Sequence, residues 1–326
     1  MKLALLAGAM ALSLTSAANA ETVNLRFALA TNATPTVEAI KEFGKLVEQK
    51  SDGEVTVTFF PDSQLGGERE LVEMVQAGTL DMTKVSGALL ESFSPVYGVF
   101  SMPYLFKNSD QFHQILSNPA IMDPVYSSTE SMGVVGLTYY DSGQRSFFSV
   151  KNPIYKLEDL RGLKIRVMQS PTAIEMMKEL GGSPIAMSAG EVYTALQQGV
   201  IDGAESNEFA LTTDQFGEVA KFYSYDMHAR IPDVVLIGTS TLQRLTENQK
   251  AAVFEAAKES TQFQREKWEA AVDQQRKIAI EKYGVKFNDV DQAPFQAAVQ
   301  PIYDRLKNDE DRYSLYEKIR SALNAN

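Results

Sequence analysis

The chain has 326 residues, of which 44% are hydrophobic and 22% are charged, and these fractions are typical of globular proteins rather than disordered or fibrous ones. At roughly 100–200 residues per domain, the length favours two domains. The absence of cysteine excludes disulfide scaffolds, thiolate metal sites and thiol nucleophiles, and two histidines are too few for a histidine-rich metal site. The net charge of −11 argues against nucleic-acid binding.

The first 20 residues have the features of a signal peptide. Lys2 precedes an apolar stretch at residues 3–12, and residues 18–20 (ANA) form a small-residue cleavage site. The apolar stretch is too short to span a bilayer. We therefore predict that residues 1–20 are removed and that the mature protein is soluble and located in the periplasm.

Helix and strand signals alternate in the first part of the mature chain. Apolar residues at positions 37, 40, 43 and 47 predict a helix that ends near Gly53. Residues 55–60 (VTVTFF) predict a strand that stops at Pro61. The next helix is predicted for residues 68–77 and ends at Gly78.

The same alternation returns later in the chain. Residues 163–168 (LKIRVM) predict a strand, and Ser170 then caps a helix with Pro171 at its first position. Residues 188–191 (SAGE) form a capping box that begins a helix through Gln198. We therefore predict an α/β fold with largely parallel sheets.

One internal repeat indicates two similar lobes. Residues 75–81 (VQAGTLD) align with residues 196–202 (LQQGVID), and in both a helix ends at a glycine just before a short strand. A chance resemblance of two helix–strand junctions is the alternative. Two lobes built on one plan would face each other across a cleft, where small ligands commonly bind.

A long helix is predicted near the C-terminus. Residues 247–283 contain neither proline nor glycine, Thr246 and Gln249 form a start signal, and Gly284 a stop signal. One continuous helix would be about 55 Å long and would brace both lobes. Two helices with an unmarked kink are the alternative.

Common catalytic motifs are absent from the sequence. It lacks the nucleotide-binding patterns G-x-G-x-x-G and G-x-x-x-x-G-K-[ST], the metalloprotease pattern H-E-x-x-H and the hydrolase pattern G-x-S-x-G. We therefore predict that the protein is not an enzyme and needs no cofactor or metal.

Arginines among apolar and small residues are the stronger chemical signal. Arg145 lies in residues 139–148 (YYDSGQRSFF), and Arg166 lies within the strand predicted at 163–168. An arginine fork binds a carboxylate through two parallel hydrogen bonds. A solvent-facing strand position is the alternative for Arg166. Residues 202–207 (DGAESN) are a second candidate, either as ligand-binding side chains at a strand end or as an ordinary polar turn.

With these residues the sequence resembles the periplasmic solute-binding subunits of TRAP (tripartite ATP-independent periplasmic) transporters, a family typified by C4-dicarboxylate-binding proteins. The resemblance covers essentially the whole mature chain. Its motifs are FPDSQLGGER at 60–69, GTLDM at 78–82, MPYLF at 102–106, LRGLKIRV at 160–167, GEVYTALQ at 190–197 and IDGAE at 201–205.

The resemblance implies a two-lobed fold with a hinged cleft and a set of ligand-binding residues. Arg166 matches the arginine that clamps the ligand carboxylate, and Arg145 matches a second arginine near it. Ser206 stands where many members have an asparagine, so this chain departs from the pattern there, and neighbouring Asn207 is a candidate to compensate. Glu68 matches an acidic residue that accepts hydrogen bonds from ligand hydroxyls.

Two further residues, Ser86 and Gln169, match cleft-facing family positions. His228 is expected at the hinge or on the surface rather than in contact with the ligand. The resemblance implies lobe I at residues 21–143 and 231–271, and lobe II at residues 144–230 and 272–326.

The resemblance also bears on the ligand and the partners. Residues 35–39 (PTVEA) and 167–170 (VMQS) resemble the subgroup that binds sugar acids such as glucuronate, galacturonate or fructuronate. A C4-dicarboxylate, with Lys84 and Arg145 on its second carboxylate, is the alternative. A monomer that delivers its ligand to the TRAP membrane permease is expected. A periplasmic uronate-processing enzyme and a sensor partner are the rival functions.

Overall fold

The computed structural model describes residues 22–30 and 33–324, so the predicted signal peptide lies outside the described residues. The strands of this part of the chain are β1 (Val23–Leu29), β2 (Val55–Phe60), β3 (Met82–Ser86), β4 (Val134–Tyr140), β5 (Arg145–Ser149), β6 (Lys164–Val167), β7 (Ser183–Ala186), β8 (Gly203–Ser206), β9 (Phe222–Ala229), β10 (Asp233–Gly238) and β11 (Lys286–Asp289). The α-helices are α1 (Thr34–Lys50), α2 (Glu68–Gln76), α3 (Gly87–Leu90), α4 (Ser109–Leu116), α5 (Pro119–Ser127), α6 (Pro171–Glu179), α7 (Ala189–Gln197), α8 (Phe209–Thr212), α9 (Thr239–Arg244), α10 (Glu247–Tyr283), α11 (Gln292–Ala298), α12 (Gln300–Leu306) and α13 (Glu310–Asn324).

Two sheets define two lobes, and the predicted two-lobed α/β fold is confirmed. Lobe I contains the sheet of order β2-β1-β3-β10-β4, and lobe II contains the sheet of order β7-β6-β8-β5-β9-β11. In each lobe a β-α-β-α-β segment forms three parallel strands. An antiparallel strand, β10 in lobe I and β5 in lobe II, then pairs with the last strand of that segment. The two lobes therefore share one plan.

The internal repeat in the sequence marks equivalent positions of this plan. Asp81 precedes β3, and its carboxylate accepts a hydrogen bond of 2.9 Å from the backbone N–H of Arg26 in β1. Asp202 precedes β8, and its carboxylate accepts a hydrogen bond of 2.9 Å from the backbone N–H of Lys164 in β6. Each aspartate thus ties the start of one parallel strand to its neighbour.

The prediction of largely parallel sheets holds only in part, because among the described strands five pairs are parallel and four are antiparallel. Strand β10 enters lobe I from lobe II and pairs antiparallel with β3 and β4. Strand β5 enters lobe II from lobe I and pairs antiparallel with β8 and β9. The exchange of one strand in each direction accounts for the antiparallel part of each sheet.

Two short segments connect the lobes beside the exchanged strands. Residues 141–144 join β4 to β5, and residues 230–232 join β9 to β10. The carboxylate of Asp141 forms an ion pair of 2.5 Å with Arg230, so the two segments are linked to each other. Gln264 of α10 holds the first segment through two hydrogen bonds with the backbone of Asp141, of 2.9 and 2.7 Å.

The predicted lobe boundaries at residues 143/144 and 230/231 fall at these connections and stay predictions. After α10, helices α11 and α12 contact β9 and α6 of lobe II, whereas α13 packs against α4 and α5. Those two helices lie in the residues predicted for lobe I. The assignment of residues 272–326 to lobe II therefore stays a prediction, and α13 lies against the other lobe.

The long helix α10 is continuous over Glu247–Tyr283, as predicted, and both predicted end signals are present. The Thr246 side chain accepts a hydrogen bond from the backbone of Gln249 and forms a capping box with it. Gly284 adopts the left-handed conformation (φ 67°) that ends a helix. The helix packs against α1 and β4 of lobe I and against α8 of lobe II, so it braces both lobes.

The apolar core is divided among the lobes and their junction. One cluster in lobe I includes Phe27 and Phe43, and one in lobe II includes Phe148 and Tyr223. A third and larger cluster joins residues of both lobes and extends to the C-terminal helices. Among residues 22–30 and 33–324 no helix has the length and apolar character needed to cross a membrane.

Candidate ligand-binding cleft

A cleft with a volume of about 510 Å³ opens between the two lobes. Lobe I contributes the start of α2, the end of β3 and the start of β10, while lobe II contributes the ends of β6 and β8 and the segment after α8. Helix α10 contributes the side chain of Trp268 to the lining of the cleft. All seven residues predicted to bind the ligand line this cleft: Glu68, Ser86, Arg145, Arg166, Gln169, Ser206 and Asn207.

Arg166 is a buried cation that forms no ion pair with the described part of the chain. It lies on β6 and is 8% exposed, whereas Lys164 on the same strand is exposed, so Arg166 is not a solvent-facing position. Its Nε and Nη2 atoms donate hydrogen bonds of 3.0 and 2.8 Å to the carbonyl oxygen of Met187. No carboxylate within residues 22–30 and 33–324 forms an ion pair with it.

The electrostatic surroundings of Arg166 leave its charge poorly compensated. Burial lowers the pKa of Arg166 to about 10, and the nearby charge of Arg145 acts in the same direction. Glu205 and Glu68 offset this only in part. The guanidinium is still protonated at neutral pH, so the cleft contains a buried positive charge that an anionic ligand would neutralise.

Arg145 also lines the cleft, but its charge is already paired. Its Nε atom lies 2.5 Å from Oε2 of Glu205, and its Nη2 atom donates a hydrogen bond of 2.6 Å to the carbonyl oxygen of the same residue. The pair is buried on both sides. Burial alone would raise the pKa of Glu205, but the charges and hydrogen bonds of Arg145 and His228 together outweigh it and lower that pKa to about 2.

His228 was expected at the hinge or on the surface. Its side chain is fully buried behind the Arg145–Glu205 pair, so the surface position is wrong. Nδ1 of His228 lies 2.8 Å from the carboxylate of Asp226, and Nε2 lies 3.4 Å from that of Glu205. Burial alone would lower the pKa of His228, but the two carboxylates outweigh it and raise the pKa to about 9. His228 also stacks on Phe147, and it lies just before the connection at 230–232.

The wall of lobe I carries a second set of paired charges. Lys84 is buried on β3, and its Nζ atom lies 2.8 Å from Asp233 Oδ2 and 3.7 Å from Glu68 Oε1. The backbone N–H of Ser86 donates a hydrogen bond of 3.0 Å to Glu68. Enclosure in the cleft wall raises the pKa of Glu68, and the attraction of Lys84 opposes this. Lys84 therefore has two carboxylates beside it before any ligand enters.

The remaining predicted residues differ in how free their side chains are. The amide of Asn207 donates to the carbonyl oxygen of Ser142 (2.7 Å) and accepts from the backbone N–H of Phe209 (2.9 Å), so it holds the loop between β8 and α8. The hydroxyl of Ser206 forms no hydrogen bond with the described residues. Gln169 follows β6 with a half-buried side chain. Ligand contacts of these residues stay predictions.

Trp268 and Asp214 are among the lining residues that the sequence did not predict. Trp268 of α10 is 4% exposed, and its ring centroid lies 4.3 Å from that of Phe209 in lobe II. A lone tryptophan in a polar helix was the available signal. Asp214, just after α8, also lines the cleft, and no local pattern distinguishes it from other surface acids. Within the described ranges no group of three or more His, Cys, Asp or Glu side chains could hold a metal ion.

Two lobes of one plan, with a cleft between them that contains an uncompensated arginine, define a two-lobed solute-binding protein. The sequence model of the family described as bacterial extracellular solute-binding protein, family 7, matches residues 28–309. The chain belongs to this family, whose members are non-enzymatic transport receptors. The resemblance to TRAP solute-binding subunits is thereby confirmed.

Three similar proteins illustrate the relationship. Protein YiiZ of Salmonella typhimurium is 53% identical over 300 residues, which cover 92% of each chain. A TRAP periplasmic solute-binding protein of Anaerococcus prevotii, solved with bound α/β-D-glucuronate, superposes with a TM-score of 0.89 at 38% identity and covers 92% of this chain and 98% of its own. One of Xanthobacter autotrophicus, solved with bound β-D-galacturonate, gives a TM-score of 0.86 at 38% identity, with coverages of 91% and 99%.

Proposed function

We propose that this protein captures a uronate such as D-glucuronate or D-galacturonate in the periplasm and delivers it to a TRAP membrane permease. The observation that carries the proposal is the buried guanidinium of Arg166, which has no anionic partner in the described chain. A carboxylate that forms two parallel hydrogen bonds with it would supply the missing charge. The relatives solved with bound uronates support this ligand class.

The charges of the cleft favour a ligand with one carboxylate. Three buried cations line it, apart from the half-buried Arg69 that lies over the ring of Phe93, and Glu205 neutralises Arg145 while Asp233 and Glu68 neutralise Lys84. Only Arg166 of these three lacks an ion pair with the described residues. A sugar acid needs one cation and many hydrogen-bonding groups, and the cleft offers both.

The same charges disfavour the alternative of a C4-dicarboxylate. Its second carboxylate was expected to bind Lys84 and Arg145. Both cations are already paired at 2.8 and 2.5 Å with carboxylates of the protein. A dicarboxylate would have to displace one of these buried ion pairs, which is costly because the displaced carboxylate would stay buried without a partner.

Capture requires no bond to be made or broken. The acid enters the open cleft, Arg166 anchors its carboxylate, and the lobes close about the connections at 141–144 and 230–232. The closed form then docks on the permease as a monomer, after removal of residues 1–20 in the periplasm.

Calorimetry on the mature protein tests the proposal. The protein is unfolded and refolded to remove any carried-over ligand, and is titrated with D-glucuronate, D-galacturonate, succinate and L-malate. Tight binding of a uronate, with much weaker binding of the two C4-dicarboxylates, is the expected result. Tight binding of succinate or L-malate alone would mean that the ligand is a C4-dicarboxylate and not a uronate. Conversion of a uronate to product during incubation would contradict a pure binding function.

A further inference from the structure

Asp214 lines the cleft as a solvent-exposed residue whose carboxylate has no ion-pair partner among the described residues. It follows α8 and precedes Gln215, which adopts a left-handed conformation (φ 60°). Leu211 and Phe216 on either side are buried in the core of lobe II, so the loop is anchored at both ends. Asp214 itself forms no hydrogen bond or ion pair with residues 22–30 or 33–324.

Positive charges of both lobes act on Asp214. Its carboxylate is attracted by Lys84 of lobe I and by Arg166 of lobe II. Enclosure in the cleft raises the pKa of Asp214 to about 6, against the effect of these two cations. At the neutral pH of a binding assay the group is therefore mainly ionised and acts only as a hydrogen-bond acceptor.

We propose that Asp214 is a specificity-determining residue, which accepts hydrogen bonds from ligand hydroxyls and repels a second carboxylate on the ligand. The inference rests on the proposed function, since it assumes that Arg166 binds the ligand carboxylate. The rest of the ligand must then extend through the cleft past the acids that line it. Hydroxyl groups are donors that a carboxylate binds well, whereas a second carboxylate would meet a like charge.

The neighbouring cations do not remove this repulsion. Lys84 is already shared between Asp233 and Glu68. Arg166 would be occupied by the first carboxylate of the ligand. Asp214 would therefore act against dicarboxylates through an unpaired negative charge, which is a repulsive element of specificity.

The matched probes are D-glucuronate and D-glucarate, the diacid with the same six carbons. Dissociation constants for both are measured by calorimetry at pH 8 with the mature wild-type protein, with Asp214→Asn and with Asp273→Asn. Asp273 is exposed on α10 outside the cleft, so its variant removes the same charge without touching the site. Asp214→Ser serves as a second variant, and unliganded thermal midpoints check folding.

We expect the Asp214 variants to bind D-glucuronate roughly tenfold to a hundredfold more weakly, since hydrogen bonds to charged groups are worth that much. The preference for D-glucuronate over D-glucarate should fall at least tenfold, while Asp273→Asn should match the wild type. Unchanged affinities, or an equal loss for both ligands, would contradict the role of Asp214. Failure of the wild type to bind any uronate would instead contradict the proposed function.

Discussion

Arg145 and Glu205 form a buried ion pair in the wall of the cleft, with 2.5 Å between Arg145 Nε and Glu205 Oε2. Glu205 lies on β8, between β5 and β6, which carry Arg145 and Arg166. It therefore neutralises the first arginine, while the second has, within residues 22–30 and 33–324, only the carbonyl oxygen of Met187 as a hydrogen-bond partner. The two buried arginines of the cleft thus have different tasks, and of these two only Arg166 lacks an anionic partner among the described residues.

The first prediction concerns Arg166. Arg166→Ala should abolish detectable uronate binding, because loss of one partner of a buried charge pair costs about 3–5 kcal/mol. The unliganded protein should be as stable as the wild type or more so, since the substitution removes an uncompensated buried charge. Calorimetry and urea unfolding measure the two effects, with Arg161→Ala, an exposed arginine of the same lobe, as the control.

The second prediction concerns Glu205. Glu205→Gln should destabilise the unliganded protein by about 3–5 kcal/mol, because Arg145 and His228 would both lose a buried carboxylate partner. The midpoint of urea unfolding measures this change. Glu191→Gln removes an exposed carboxylate that caps α7 and should lower the unfolding free energy much less. An equal loss of stability in the two variants would count against the buried network.

The third prediction is a pH dependence of stability. The pKa of His228 is raised to about 9 in the folded protein, above its ordinary value near 6.5. The resulting stabilisation is fully present below about pH 6.5 and is lost as the pH rises through about 9, and it is on the order of a few kcal/mol. The unfolding free energy should fall over this window in the wild type. A similar fall in His228→Gln would show that another group is responsible.

The fourth prediction uses the single tryptophan of the chain. Trp268 packs against Phe209 of lobe II and lines the cleft from the helix that braces both lobes. Ligand binding and lobe closure should therefore change its fluorescence in a saturable way, with the midpoint at the calorimetric dissociation constant. Arg166→Ala should show no change, and a signal that persists in that variant would mean that the fluorescence reports something other than capture.

The sequence predicted local structure best where the signals are local. The helix Glu247–Tyr283 is found between its predicted end signals because capping boxes and a terminal glycine act within one turn. The strand Val55–Phe60 is likewise found where proline ends it. Antiparallel pairing was missed because Asp233 of β10 pairs with Ser86 of β3, which is far away in the sequence. Nothing in either strand specifies the direction of its partner.

The same limit applies to the cleft. The family resemblance located seven lining residues, but it did not reveal that Glu205 pairs with Arg145 across 60 residues of sequence. Nor did it reveal Asp214, whose significance depends on a cleft formed by distant segments. Charges that compensate each other are a property of the folded arrangement, and a sequence alone shows only that both signs are present.

The exchange of β5 and β10 also constrains the order in which the molecule can assemble. The sheet of lobe I holds β4 only through β10, which is formed by residues 233–238. A growing chain that has reached residue 200 therefore contains most of the first lobe but not its penultimate strand. Domains usually fold one after another during synthesis, but with this topology the first lobe cannot be complete before the second begins. Lobe I can therefore be completed only after residues 145–229, which supply five of the six strands of the lobe II sheet, have been made.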